Sequence, residues 1–191
     1  GSVEMAVGRG ARGRRRRVGS AHFPVNAPPA LCITGQAGGT VEVATGGREG
    51  LIGLPIFINS EAVAIEAFTH VPGEALRIQR SVLRREIDRE QDLCRRVHRY
   101  TEVLLLFIAQ TCLCNSLHTQ RQRLARWLLL IHDRVGVDSF ELTQTFMAEM
   151  LGVRRATITI TAGEFRETGR VSYPRGRVPL HPLPGPPRAR V

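Results

Sequence analysis

Residues 142–163 read LTQTFMAEMLGVRRATITITAG, and the spacing inside this stretch decides how the rest of the chain is read. Thr143 belongs to the residue types that cap a helix N-terminus, because its hydroxyl accepts a hydrogen bond from an early backbone N–H. After it, Phe146, Met147, Met150 and Leu151 recur at helical spacing. Gly152 then falls where a tight turn needs a residue that tolerates positive φ. Ala148, four residues earlier, is small enough for a second helix to cross closely, and Val153 and Ile158 supply that helix's contacts with the first. The pattern predicts a helix-turn-helix whose second helix runs from Arg154 to about Glu167. Its opening residues Arg154, Arg155 and Thr157 are the long cationic and short polar groups that such a unit carries into a major groove. An ordinary helical hairpin with a solvated arginine pair is the competing reading.

Downstream, residues 171–178 (VSYPRGRV) read as two short strands around a Pro174-Arg175-Gly176 turn, the wing of a winged helix, with Arg175 and Arg177 placed to reach backbone phosphate. Thr143 and Gln144, at the start of the first helix, offer hydroxyl, amide and backbone N–H groups to the same kind of partner. Residues 179–191 are Pro-rich and continue neither strand nor helix. Upstream, a helix is predicted over about 120–134, with Leu124, Trp127, Leu128 and Ile131 on one face and a stop at Gly136. The break at 115–119 is the natural domain boundary.

A longer helix precedes that break, from about Gln91 to Leu117. Leu93, Val97, Tyr100, Leu104, Phe107, Thr111 and Cys114 step by alternating fours and threes, a heptad seam, while Val103, Leu106, Ile108 and Leu113 widen the apolar face. A helix apolar on more than one side needs two partners, and a second copy of the same helix is the simplest outer one. The seam is therefore the expected dimer interface. A plain core helix in a monomer is the alternative. A short helix capped by Ser81 is predicted over 81–87.

From Ala30 to Ile78 the pattern is short β-rich runs broken by glycine: 31–34, 41–44, 56–58, 62–68 and 75–78. Close spacing suggests an antiparallel roll, and about five strands are few for a closed one. Residues 1–21 hold arginine and glycine with no apolar period, and are expected to be a disordered tail. The fold class is thus α+β. It comprises a tail over 1–21, a partial antiparallel β-roll over 22–90, a long dimerisation helix and hinge over 91–118, a winged helix-turn-helix over 119–178 and a tail over 179–191.

Charge follows the same division. All 27 basic residues are arginine, and the formal net charge is +10. Residues 21–120 hold nine arginines against ten acids, whereas residues 121–191 hold twelve against six. A neutral middle joined to a basic end fits a structural or sensing unit attached to a nucleic-acid-binding one. The cysteines at 32, 94, 112 and 114 show no CxxC or Cys/His spacing and read as reduced core thiols, so no metal is expected. The longest apolar run, residues 103–109, falls short of the roughly 20 residues of a membrane span. A cytoplasmic protein that contacts no membrane is expected.

RQRLARWLLLIHDRVG (121–136), followed by 142–163 and SYPRGR (172–177), resembles the DNA-binding domain of the Crp/Fnr transcription regulators. GGTVEVATGGREGLIGLPIF (38–57) with VPGEALRI (71–78) resembles their β-roll. The resemblance implies a bacterial, sequence-specific regulator that binds double-stranded DNA as a homodimer, with RNA polymerase as a further partner of that family. It also implies a division of labour in the helix-turn-helix. Arg155, Ala156 and Thr159 would face bases, and Thr143, Gln144, Arg154, Thr157, Arg175 and Arg177 would face phosphate.

The resemblance has gaps. The family's cyclic-nucleotide site needs an acid after the glycine of its phosphate cassette and an Arg-Ser or Arg-Thr pair, but Gly53 is followed by Leu54-Pro55 and residues 61–64 read EAVA. Ala109-Gln110 stands where Thr-Ser would reach the base. No cofactor and no response to cyclic nucleotides is expected. Ala156 and Ile160 also differ from the best-known member, so its operator is not carried over.

Two other classes compete. The six histidines, with no HExxH, GxSxG or P-loop, leave no constellation for an enzyme, and His132-Asp133 reads as a helix C-terminal cap pair. A decayed member acting only as a dimeric interaction protein without DNA binding is the main alternative. RNA binding is disfavoured because aromatic residues are 5% of the chain and none lies in a stacking array.

Overall fold

The computed structural model describes residues 1–5, 16–60, 62–136, 139–167 and 177–179. Strands β1 (Ser2–Met5), β2 (Arg16–Arg17), β3 (Ser20–Pro24), β4 (Pro29–Thr34), β5 (Thr40–Thr45), β6 (Ala62–Val63), β7 (Ile65–Thr69) and β8 (Gly73–Gln79) come first. Helices α1 (Arg80–Arg89), α2 (Gln91–Leu117) and α3 (Gln120–Val135) follow. The remainder is β9 (Ser139–Glu141), α4 (Gln144–Leu151), α5 (Arg155–Glu167) and β10 (Arg177–Pro179).

The roll is built from antiparallel pairs. Two three-stranded sheets run in the order β1-β8-β3 and β5-β4-β7, and β2 pairs with β6. The described part of the Arg/Gly-rich stretch departs from the expected disorder. Ser2–Met5 pairs with Gly73–Leu76, and Arg16–Arg17 with Ala62–Val63. A sheet edge offers unpaired backbone N–H and C=O groups, so a segment can be ordered there without apolar side chains of its own, a source of order that an apolar-period reading does not detect. Two further expectations are corrected. The strand expected over 56–58 does not form: Leu54–Ile56 is a 3-10 helix, with Pro55 fixing its φ and Gly53 entering at φ 108, and residues 57–59 continue as a turn. Helix α1 starts at Arg80 with no side-chain cap, because β8 runs directly into it and the Arg80 N–H bonds to Gly19 O at 3.0 Å.

Two apolar clusters hold the chain together. In the first, Ala21, Leu51, Ile56, Leu83 and Val97 tie the base of the roll to α1 and the first half of α2. In the second, Leu124, Trp127, Leu128 and Ile131 of α3 pack on Met147, Leu151, Ile158 and Phe165, and reach Ala30 and Cys32 of β4. The helical domain is therefore seated on one face of the β5-β4-β7 sheet.

This seating bears on the heptad seam. Val97 and Cys114 are buried within the single chain, and Leu93 and Tyr100 pack against the first cluster. Phe107 lies under the guanidinium groups of Arg126 and Arg134, 5.2 and 5.4 Å from its centroid. Phe107, Thr111 and Cys114 line a small cavity with residues 41–45 of β5 and with Arg123, Arg126 and Trp127 of α3, and Leu104 is half-buried. A seam period marks an apolar face but not the surface that covers it, and here the chain's own roll and α3 bury Val97 and Cys114 and leave the other seam residues half-buried. The uncovered apolar face carries Val103, Leu105, Leu106, Leu113 and Leu117, each 47–74% exposed. Apolar on both sides, α2 is long and apolar enough to cross a membrane by length and composition. Its inner side is taken up by packing on the roll.

Candidate nucleic-acid interface

The helix-turn-helix forms where its spacing predicts. Thr143 caps α4, its Oγ1 accepting from the Phe146 N–H at 3.1 Å. Gly152 ends the helix at φ 64, in the left-handed region where a Cβ is strained. The Val153 N–H bonds to Ala148 O at 2.9 Å, so the turn closes directly beneath the small residue. Val41 of β5 covers this turn from outside, its Cγ2 3.3 Å from where a Gly152 Cβ would stand. Arg123 Nη2 donates to Leu151 O at 2.6 Å, satisfying a carbonyl at the end of α4 from α3. Burial lowers the Arg123 pKa from its ordinary value.

Helix α5 buries Ile158, Thr161, Ala162 and Phe165 and turns Arg155, Ala156, Thr159 and Ile160 outward. At its far end Arg121 Nε lies 4.0 Å from Glu164 Oε2, with the Arg121 guanidinium over the Phe165 ring. Of the residues expected to face bases, all three are exposed, but Thr159 is engaged: its Oγ1 donates to Gln144 Oε1 at 2.8 Å and lies 3.2 Å from Arg155 O. Gln144 and Thr159, expected to meet phosphate and base separately, are thus bonded to each other. Thr143, Arg154 and Arg155 are exposed, while Thr157 is half-buried. Arg177 lies in β10, which pairs with Ser139–Glu141, and the first strand of the expected wing, at 171–173, lies outside the described residues. Arg175 and the turn at 174–176 lie outside the described residues. The pairing of β9 was missed because Ser139–Glu141 is too short to show a period-2 pattern.

Arg155 and Thr143 also line a cleft of about 980 Å³ between the helix-turn-helix and the β4–β5 hairpin, together with Gly38, Gly39, Glu66, Phe68 and His70. Beside it lies a buried polar cluster that the sequence reading did not single out. Trp127 Nε1 donates to Glu42 Oε2 at 2.7 Å, His70 Nε2 lies 3.0 Å from the same oxygen, and Thr45 Oγ1 donates to Glu42 Oε1. A glutamate and a histidine inside an apolar run are its only signal in the sequence.

Two cations lie beside the segment that the resemblance sets against the family's phosphate cassette. Arg80 Nη1 donates to Ser60 O at 2.9 Å, and Arg84 Nη1 lies 3.3 and 3.4 Å from Ile56 O and Phe57 O. Both arginines come from α1, and each directs its Nη1 at backbone carbonyls.

Comparison with known proteins agrees with this geometry. Residues 122–182 match the family model of the Crp-like helix-turn-helix domain. A search of curated protein sequences finds no match to the chain. Among solved structures, the chain is similar to FixK2 from Bradyrhizobium japonicum, at 14% identity and a TM-score of 0.78, covering 95% of this chain and 92% of that one. It is also similar to the c-di-GMP-responsive global regulator CLP of Xanthomonas campestris, at 12% identity and a TM-score of 0.76, covering 96% and 94%. A CRP/FNR-family transcriptional regulator from Thermus thermophilus aligns at 16% identity and a TM-score of 0.74, covering 96% and 94%. Residues 122–182 are accordingly a Crp-like helix-turn-helix domain, carried on a chain with the fold of the Crp/Fnr transcription regulators.

Proposed function

We propose that this protein is a sequence-specific transcription regulator that binds double-stranded DNA as a homodimer in the cytoplasm. The observation that carries the reading is the exposure of Thr143, Arg154 and Arg155 on a capped helix-turn-helix with a Crp-like sequence. Arg155 opens α5 with room for a bidentate contact to guanine O6 and N7. Arg154 and the N-terminal turn of α4 face phosphate, where the first backbone N–H groups and the helix dipole favour an anion. The dimer joins through the uncovered face of α2, because Val103, Leu105, Leu106, Leu113 and Leu117 leave an exposed apolar stripe along one helix, the kind of surface that marks an interaction site. Cyclic nucleotides are not its effector, since Leu54-Pro55 provides no carboxylate for a ribose and residues 61–64 (EAVA) hold no Arg-Ser or Arg-Thr pair for the cyclic phosphate.

The test is a salt titration of binding to a duplex selected from a random library and to a scrambled duplex. Arg155→Ala should cost about 1–3 kcal/mol on the selected duplex and much less on the scrambled one. Arg154→Ala and Arg177→Ala should weaken both alike, and flatten the slope of log affinity against log salt by about one unit per lost phosphate contact. Wild type that ignores both duplexes at low salt would establish the interaction-only alternative.

A further inference from the structure

The outward face of α5 holds a pattern that arginine contacts leave unused. Along it lie Arg155, Ala156, Thr159, Ile160 and Gly163. Ile160 is 66% exposed, although Ile158, Ala162 and Phe165 on the same helix supply the core. An isoleucine left in water adds nothing to the fold, since its stabilising effect comes from burial. Ala156 stands one turn before it, at the i, i+4 spacing that makes two side chains neighbours on a helix surface. At Gly163 an added Cβ would meet nothing within 4 Å, so the face stays open beyond Ile160.

Thr159 would be the polar reader of this face, but its one hydroxyl hydrogen is committed. In Thr101, Thr111, Ser116 and Thr161 the hydroxyl sits 2.8–3.0 Å from the carbonyl four residues earlier. At Thr159 that distance is 3.2 Å, and Gln144 Oε1 is nearer at 2.8 Å. The hydroxyl is drawn out of its usual helical bond toward α4. Glu164, at the edge of the face, is turned to Arg121. The outward side chains between Arg155 and Arg166 thus present aliphatic groups at Ala156 and Ile160, beside a Thr159 hydroxyl whose hydrogen is used within the protein and a Glu164 that faces Arg121. In a major groove the only aliphatic group among the base edges is the thymine 5-methyl.

We propose that Ile160, with Ala156, reads a thymine methyl, so that each half-site of the operator combines a guanine met by Arg155 with a thymine recognised by its methyl alone. The proposal rests on the DNA-binding reading above and names the chemistry of the preferred sequence. It makes Ile160 a specificity-determining residue and Thr159 a positioning one.

The experiment selects duplexes from a random library with the wild-type protein, then replaces thymines one at a time by uracil, which removes the methyl and leaves base pairing intact. At one or two positions per half-site, uracil should weaken wild-type binding about fourfold, the equivalent of one buried methyl-sized group. Ile160→Ala should bind the thymine and uracil duplexes equally, whereas Arg155→Ala should bind both more weakly and keep the discrimination. Tolerance of uracil at every position of a duplex that wild type binds, or discrimination by Ile160→Ala as strong as wild type's, would overturn the proposal and leave DNA binding standing. Failure of wild type to bind any duplex would remove both.

Discussion

Trp127 Nε1 donates a 2.7 Å hydrogen bond to Glu42 Oε2, joining the first helix of the helical domain to strand β5 of the roll across 85 residues of chain. The glutamate is buried, and Thr45 and His70 fill its remaining positions. Trp127→Phe keeps most of the ring but leaves the carboxylate one donor short, at a cost of about 1–3 kcal/mol. In thermal unfolding that should lower Tm by roughly 2–4 °C per kcal/mol for a chain of this size. Glu42→Ala should cost at least as much, and Trp127→Phe should add little in its background. Additive losses would show that the two side chains are not energetically coupled.

Gly152 and Gly136 both sit at positive φ, 64 and 71, but only Gly152 is crowded, with Val41 Cγ2 3.3 Å from the place a Cβ would take. Alanine at Gly136 should cost about 1–2 kcal/mol, the strain of left-handed backbone alone. Alanine at Gly152 should cost more, and Val41→Ala should recover the difference. Equal losses in chemical denaturation would exclude the contact between the turn and the roll.

Association through α2 separates its two faces. Leu106→Arg and Leu113→Arg replace exposed side chains, so each variant should fold and sediment as a monomer at tens of micromolar, because a pair of unpaired cations in the interface costs several kcal/mol, on the order of the interface itself. Val97→Arg should instead fail to fold, since Val97 is buried within one chain. Wild type that is already monomeric at that concentration would remove the dimer.

The thiols should differ sharply in reactivity. Burial, with Glu42 and Glu66 nearby, pushes the Cys32 thiol far above its ordinary range, so it stays protonated and inert at pH 8. Cys112 is exposed on α2. A disulfide reagent at pH 8 should label Cys112 in the native protein and Cys32 only on unfolding. Native labelling of Cys32 at a comparable rate would show that the sheet and the helical domain separate in solution.

Local chemistry made the helix-turn-helix legible. Thr143, Ala148, Gly152 and Ile158 act within one supersecondary unit, where a cap, a close crossing and a left-handed turn each demand a particular residue type, and the structure places all four as their spacing predicts. The 91–117 helix was equally plain, because 27 residues without Pro or Gly at helical spacing allow little else.

What spacing did not decide is which surface meets which. The seam from Leu93 to Cys114 repeats like an interhelical contact, yet Val97 and Cys114 within it are buried by the roll and α3 of the same chain, since an apolar period marks a face and says nothing about its partner. The order of Ser2–Met5 came from pairing with Gly73–Leu76, far along the chain, through backbone bonds that side-chain pattern does not encode. Thr159 reads as a base-facing hydroxyl until Gln144, fifteen residues earlier, is brought within 2.8 Å of it. Periodicity and turn chemistry act over a few residues and were determined by the sequence itself, whereas the identity of each covering partner depends on contacts between distant segments and was decided only by tertiary packing.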